Sequence, residues 1–297
     1  MLNFDLVILG HIAKDIIVIN GKKREAIGGA VYYGGIAASH MGLKVAVITR
    51  LRKSDADILD DFKKYGVKFF VHYTDETSGI RNTYTSKDME YRVCTPLGFA
   101  GLFDINEIPE IDTKYFILAP ILGGEIDINL LDELYNRYPD KLCIDIQGFI
   151  RFQDKDTDSI YFCELSEHDK KEILSKVTIL KVDRAEMKAL TGMDDVSEGG
   201  KELSKYGPRE ILISHQKGLS LYTDGEVYFY PWRNKWMRGR TGRGDTSFVS
   251  YVGSRIKKSP KESLKFATAL TSLKLESAGP FIRPLNQVNN LIEKEYK

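Results

Sequence analysis

Short apolar runs alternating with polar turns and amphipathic stretches set the rhythm of this chain. Phe4 to Leu9 is an apolar run ending at Gly10, the pattern of a buried parallel strand. Ile16-Ile17-Val18-Ile19, the dipeptide Asn20-Gly21 and a charged return to Ala26 predict a β-hairpin. Gly28 to Met41 has the small-residue composition of a packed helix, and Val45 to Thr49 reads as the next strand. Asp55 to Tyr65 is patterned as an amphipathic helix, followed by a strand from Val67 to Tyr73. A second, more polar hairpin runs through Gly79 to Thr85, turns at Ser86-Lys87-Asp88 and returns through Tyr91-Arg92-Val93. Its alternation suits a sheet with one solvated face.

From Tyr115 the rhythm becomes regular. Strands are predicted at Tyr115 to Leu118, Leu142 to Asp145, Val177 to Val182 and Glu210 to Ser214. Helices are predicted at Leu130 to Arg137, Ala185 to Thr191 and Gly199 to Tyr206. Gly218 to Tyr222 and Val227 to Pro231, joined by Asp224-Gly225, form a further hairpin, and the tail is helical over Thr246 to Lys257, Pro260 to Glu276 and Leu285 to Lys297. Such alternation predicts a three-layer α/β/α sandwich around a mostly parallel sheet. The two early hairpins, inserts at about 12–27 and 79–95, predict a small β lid on one domain spanning 1–297. No internal repeat, low-complexity tract or linker interrupts it.

Composition narrows the function classes. With 43 Lys plus Arg against 42 Asp plus Glu, the net charge of +1 gives no electrostatic reason to expect nucleic acid or an anionic membrane. No stretch approaches the ~20 apolar residues of a membrane helix, and the run at Leu6 to Leu9 is too short and wrongly flanked for a signal peptide. Cys94, Cys143 and Cys163 fit neither a disulfide framework nor a zinc site and read as reduced thiols. A cytoplasmic protein is expected.

The segment Arg240-Thr241-Gly242-Arg243-Gly244-Asp245-Thr246 carries the clearest chemistry. Two glycines flanking one residue ahead of an apolar helix make a turn with outward backbone amides, and a helix N-terminus attracts phosphate oxygens. Asp245 could be an N-cap, or a carboxylate placed to take a proton from an attacking hydroxyl. The residues alone support both readings equally.

Thr241-Gly242-Arg243-Gly244-Asp245-Thr246 resembles the T-G-x-G-D-T signature of the ribokinase-like (PfkB) carbohydrate and nucleoside kinases. Gly28-Gly29 opening a helix resembles the family's N-terminal glycine pair, and Gly10 to Asp15 its strand end with a substrate-binding Asp. Val182-Asp183-Arg184-Ala185-Glu186 followed by Leu190-Thr191-Gly192 resembles the N-x-x-E segment with its L-T-G ending. The resemblance spans essentially the whole chain in order. It implies Asp245 as the base, with the amides around Gly242, Arg243 and Gly244 as an anion hole. It further implies Asp15, Gly28, Gly29, Tyr33 and Asn82 as acceptor contacts, and Asp183, His215, Lys217, Gly218 and Thr241 at the nucleotide. Glu186 would place Mg²⁺ through water, with ATP as co-substrate and a lid that forms a homodimer interface.

Three departures bear on this expectation. Asp183 stands where the family has Asn, and Arg243 replaces the Ala of G-A-G-D. Arg243 could contact phosphate or could pair with Asp183 or Glu186. His215 stands near the usual nucleotide-loop glycine, and a His there together with G-R-T-G-R-G-D-T resembles inositol-kinase-like members. Tyr32-Tyr33 could stack on a nucleobase, or one could pack in the core and the other line a dimer surface. The acceptor expected is a ribonucleoside, with myo-inositol or a free sugar as the alternative. A non-catalytic nucleotide- or sugar-binding protein on the same fold is the competitor of another class. A dinucleotide oxidoreductase is disfavoured, because Gly10-His11-Ile12-Ala13-Lys14-Asp15 supplies no G-x-G-x-x-G turn.

Overall fold

Strand β1 (Leu2–Leu9) shows why the chain layers as it does. Leu6 and Ile8 enter one core and Val7 and Leu9 another, all fully buried, because successive side chains alternate across a strand. The computed structural model describes residues 2–84, 92–154, 156–157 and 159–296. The expected turn at Ser86-Lys87-Asp88, and Tyr91 of its return strand, lie outside the described residues.

After β1 comes the hairpin β2 (Ala13–Ile19) and β3 (Lys22–Gly28). Its turn holds Asn20 at φ 50° and Gly21 at φ 77°, the left-handed pair that suits the twist of a tight hairpin. Then follow α1 (Ala30–His40), β4 (Val45–Arg52), a 3-10 segment over Lys53–Ile58, α2 (Leu59–Lys64), β5 (Lys68–Thr74), β6 (Gly79–Tyr84), β7 (Arg92–Gly98) and β8 (Ile111–Leu118). The second half runs α3 (Ile128–Arg137), β9 (Leu142–Asp145), α4 (Gln147–Ile150), β10 (Arg151–Asp154), β11 (Ser159–Phe162), α5 (Glu167–Leu174), β12 (Ile179–Asp183), α6 (Arg184–Thr191) and α7 (Val196–Ser204). It closes with β13 (Glu210–Ser214), β14 (Gly218–Thr223), β15 (Glu226–Pro231), α8 (Arg243–Arg255), α9 (Pro260–Leu275) and α10 (Leu285–Glu295).

The main sheet has the order β15-β14-β13-β12-β9-β8-β1-β4-β5, parallel except for the antiparallel edge pair β14 and β15. Leucines of α3, α5, α6 and α7 pack on one face, and α1, α2, α8 and α9 on the other. This is the α/β/α sandwich the pattern predicts. A separate lid sheet, β3-β2-β6-β7, joins the two inserts through parallel pairing of β2 with β6.

Some elements differ from expectation. Asp55 to Tyr65 is not one helix: Asp55 has φ −103° and ψ 15°, breaking the 3-10 segment ahead of α2. Its carboxylate instead accepts bonds from Thr77 Oγ1 at 2.6 Å and Lys14 Nζ at 3.1 Å, fastening the base of the lid. The β10–β11 hairpin and α4 were not foreseen, since four residues carry too little periodicity to read. Helix α8 starts three residues before the expected Thr246, because Gly242 at φ 77° supplies its cap position.

Helix α8 is set against α1 at a glycine. A Cβ at Gly34 would lie 2.3 Å from Val249 Cγ2 and 3.3 Å from the Asp245 carbonyl oxygen. Gly34→Ala is therefore expected to force α8 away and cost about 1–3 kcal/mol, the range for overpacking. Urea unfolding would register this as a lower midpoint at constant slope, and an unchanged midpoint would contradict the tight crossing.

Candidate active site

The strand ends and loops at the carboxyl edge of the parallel sheet surround a cleft of about 320 Å³, where ligands of open α/β folds characteristically bind. The lid contributes Asp15, Ile80, Asn82 and Tyr84 to its lining, and the junction of β3 with α1 contributes Gly28 and Gly29. Asp15 is nearly buried, and its Oδ1 accepts the Ile80 amide at 2.9 Å. A Cβ at Gly28 would sit 2.6 Å from Asp15 Oδ2, and one at Gly29 (φ 94°) 2.4 Å from the His11 carbonyl. Only glycines let the backbone come this close to the carboxylate. Behind this wall, the buried Glu125 carboxylate accepts the amides of His11 (3.0 Å), Ile121 (2.7 Å) and Leu122 (2.9 Å), tying the ends of β1 and β8 together. Burial raises Glu125 to about 7, against the pull of those amides.

On the opposite wall lie Arg240, Thr241, Gly242, Arg243, Gly244 and Asp245. Gly242 occupies the cap position of α8 without a capping side chain, and Asp245 stands in the first turn. Asp245 is thus not the N-cap. The Arg243 amide turns back onto the Arg240 carbonyl at 3.2 Å, and this end of the helix presents the positive pole of its dipole to the cleft. The Arg243 guanidinium lies 5.9 Å over the Trp232 ring.

Beside this wall is a buried charge cluster, of which Lys181 itself lines the cleft. Lys181 Nζ lies 3.0 Å from Asp145 Oδ1 and 3.5 Å from Glu186 Oε2, with all three side chains at most 5% exposed. Asp183 and Glu186 form a capping box for α6: the Glu186 amide donates to Asp183 Oδ1 at 2.8 Å, and the Asp183 amide donates to Glu186 Oε2 at 2.6 Å. Burial raises Glu186 to about 7 and also raises Asp145, with Lys181 opposing both. Those two carboxylates in turn hold Lys181 firmly protonated against its own burial. Lys181 and Asp145 were missed by sequence reasoning. The signal was present for Lys181, a lone lysine inside the apolar run Ile179-Leu180-Lys181-Val182.

Of the residues expected at the site, Asp15, Gly28, Gly29, Asn82, Asp183, Thr241, Gly242, Arg243, Gly244 and Asp245 line the one cleft. Glu186 stands directly behind Asp183. Tyr33 does not reach the cleft lining. Its ring packs under Gly242, where a Cβ would meet it at 2.2 Å, and is 4% exposed. Tyr32 is likewise buried and donates its hydroxyl to Asp61 at 2.6 Å. The reading of these tyrosines as a base-stacking face gives way to the core-packing one. His215, Lys217 and Gly218 stand at the β13–β14 turn, beyond Ser214, the last cleft residue there. The His215 ring stacks on Phe229 at 5.1 Å, its Nε2 pairs with Ser220 Oγ at 3.1 Å, and its carbonyl accepts Trp232 Nε1 at 3.0 Å. Burial, then Arg184, Arg243 and Lys217, push its pKa down to about 4.

The arrangement can hold a polyanion between the α8 amides and the arginines, and a polyol between Asp15, Asn82 and the glycine pair. Asp245 stands where the two regions meet.

A family model described as "pfkB family carbohydrate kinase" matches residues 5–285. A cytidine kinase of Thermococcus kodakarensis is 24% identical over 245 residues, 76% of this chain and 78% of the relative. A solved structure described as a pyrophosphate-dependent kinase in the ribokinase family, complexed with a pyrophosphate analog and myo-inositol, is similar at 28% identity. Its TM-score is 0.86, covering 96% of this chain and 99% of that one. A Methanocaldococcus jannaschii nucleoside kinase shares the fold, with TM-score 0.75 and 16% identity over 99% of both chains.

Removing Lys181 tests the charge cluster. Lys181→Met leaves the Asp145 and Glu186 carboxylates buried without their cation, a change that typically costs about 3–5 kcal/mol. Protonation relieves the unpaired charges, and without Lys181 to hold it down Glu186 takes up its proton above the value of about 7 that it has beside the lysine, so the loss should be largest at alkaline pH and shrink as pH falls toward neutrality. Equal destabilisation across that range, measured by denaturant unfolding, would contradict the pairing.

Proposed function

The chain belongs to the pfkB family of carbohydrate kinases and is a phosphotransferase acting on a hydroxyl group, and we propose that its acceptor is a compact polyol phosphorylated from ATP. The observation that carries this reading is the single cleft in which Asp245 and the α8 N-terminus face Asp15, Asn82 and the glycine pair. A carboxylate and an amide side chain can bind vicinal hydroxyls, and Tyr84 is the one aromatic among the described residues of that lining. Tyr32 and Tyr33, packed in the core, offer no face to a nucleobase, and we read the cleft as suited to an inositol- or aldose-sized ring. The 28% identity to structures described with myo-inositol supports the same choice.

In this reading Asp245 takes the proton from the attacking hydroxyl. The amides of Gly242 and Gly244 receive the charge that develops on the moving phosphoryl group, while the Arg243 amide is held by the Arg240 carbonyl and its side chain adds a fixed cation beside them. A bound Mg²⁺ would neutralise charge on the donor phosphates. Among the described residues no cluster of three or more metal-ligating side chains is preassembled. Mg²⁺ characteristically keeps several waters and takes one or two carboxylates plus phosphates. Asp183 on the cleft wall, with Glu186 acting through water, supplies suitable hard oxygen donors.

A second donor, inorganic pyrophosphate, is favoured by a specific observation. The cleft lining stops at Ser214 on this side, and beyond it Trp232 is bonded to the His215 carbonyl with Arg243 over its ring. The similar structures described as pyrophosphate-dependent support it further.

Purified protein should phosphorylate a compact polyol faster than cytidine when given Mg²⁺ with ATP or pyrophosphate, and the preferred donor decides between the two. Turnover of none of myo-inositol, ribose, fructose and cytidine would end the kinase reading. Asp245→Asn should lower kcat by roughly 10²–10⁴, the range for losing a general base, with donor KM near the parent's. Near-parental kcat would remove Asp245 from that role.

A further inference from the structure

We propose that Lys274 is a built-in monovalent cation that holds the strap ahead of α8 in its anion-binding shape, acting as a positioning residue for phosphoryl transfer. It sits in the last turn of α9 and is 1% exposed. A buried ammonium has to be paired or solvated by the protein. Here Nζ donates to the carbonyl of Gly239 at 2.5 Å and to that of Thr241, and lies 4.8 Å from the Tyr33 ring centroid. Backbone carbonyls and an aromatic face are the ligands that a free potassium or ammonium ion would choose.

The strap is fixed from its other side by the end of the same helix. The amides of Arg238 and Gly239 both donate to the Leu275 carbonyl at 2.9 Å, and Trp236 Nε1 donates to the Glu276 carbonyl at 3.0 Å. A Cβ at Gly239 would fall 1.8 Å from the Ser277 carbonyl oxygen, so the strap lies flat on the helix end. Peptide units are planar and trans, with C=O and N–H pointing oppositely. Pinning the Thr241 carbonyl on Lys274 therefore fixes the direction of the Gly242 N–H. A flip of that peptide would turn a carbonyl, in place of a donor, toward the phosphoryl site. Burial pulls the Lys274 pKa down to about 7 while Asp245 opposes it, so the ammonium is the form present on the acid side of neutrality.

The inference rests on the kinase reading, so parent turnover is measured first, on the acid side of neutrality. The parent should work equally in sodium, potassium and tetramethylammonium buffers, since its cation is covalently supplied. Lys274→Ala should lose roughly 100-fold in kcat, as on removing one anion-hole donor, with acceptor KM near the parent's. Methylammonium should restore much of that loss in Lys274→Ala and none in Lys274→Met, where the side chain fills the space without charge. A parent that requires added potassium, near-parental turnover in Lys274→Ala, or a folded Lys274→Ala that methylammonium does not repair would each overturn the proposal. If Lys274→Ala does not fold, the cation-independence of the parent decides. If the parent turns over no acceptor, the kinase reading has failed separately. Calorimetry with pyrophosphate then tests Lys274: affinity should fall roughly tenfold in Lys274→Ala, the scale of one hydrogen bond to a charged group, and recover with methylammonium, and unchanged affinity would overturn the role.

Discussion

A helix N-terminus held at the bottom of a polar cleft is the constraint on which the rest of this structure depends. Helix α8 carries its first turn beside Asp245, and everything in contact with that turn is fitted at short range. Gly34 lets α1 pass under it, Tyr33 supports Gly242, and the strap from 238 to 241 lies on the end of α9. Exposed amides and a helix dipole favour negative charge, while a carboxylate in the same turn opposes it. The nearby cations Arg240, Arg243, Lys181 and Lys274 offset that opposition.

The lid completes the cleft from the other side. Its four strands descend from two inserts that the main sheet does not need, and they bring Asp15 and Asn82 over the glycine pair. Fastening Asp55 to Thr77 and Lys14 links the base of the lid to the body. In the proposed reading the two sheets divide the work: one supplies the anion site and the other the polar surface for hydroxyls.

Much of this was legible in the chain. Asn20-Gly21 and Asp224-Gly225 marked their turns because few dipeptides adopt two left-handed conformations, and the α/β alternation marked the sandwich. The cleft residues carried by short glycine-containing motifs were legible through their resemblance to the ribokinase-like kinases, since the residues alone left Asp245 open between a helix cap and a base. What was not legible depends on long-range contact. Tyr33 was placed at the substrate by its position after the glycine pair, yet its ring packs under a turn some two hundred residues later in the chain. Lys181 and Lys274 sit in apolar segments of a strand and a helix, and only the fold shows that one meets two carboxylates and the other two carbonyls. Asp55 looked like the start of a helix because the lid that captures it is distant in sequence.

The central claim is that one end of α8 binds the moving phosphoryl group while Asp245 faces the acceptor hydroxyl. The most direct measurement is a crystal structure of the protein with magnesium, a metal-fluoride mimic of the phosphoryl group and myo-inositol. The account predicts the fluoride mimic on the amides between Gly242 and Asp245, with an acceptor oxygen within hydrogen-bond distance of the Asp245 carboxylate. A mimic bound elsewhere, or an acceptor whose hydroxyls all lie out of reach of Asp245, would contradict it.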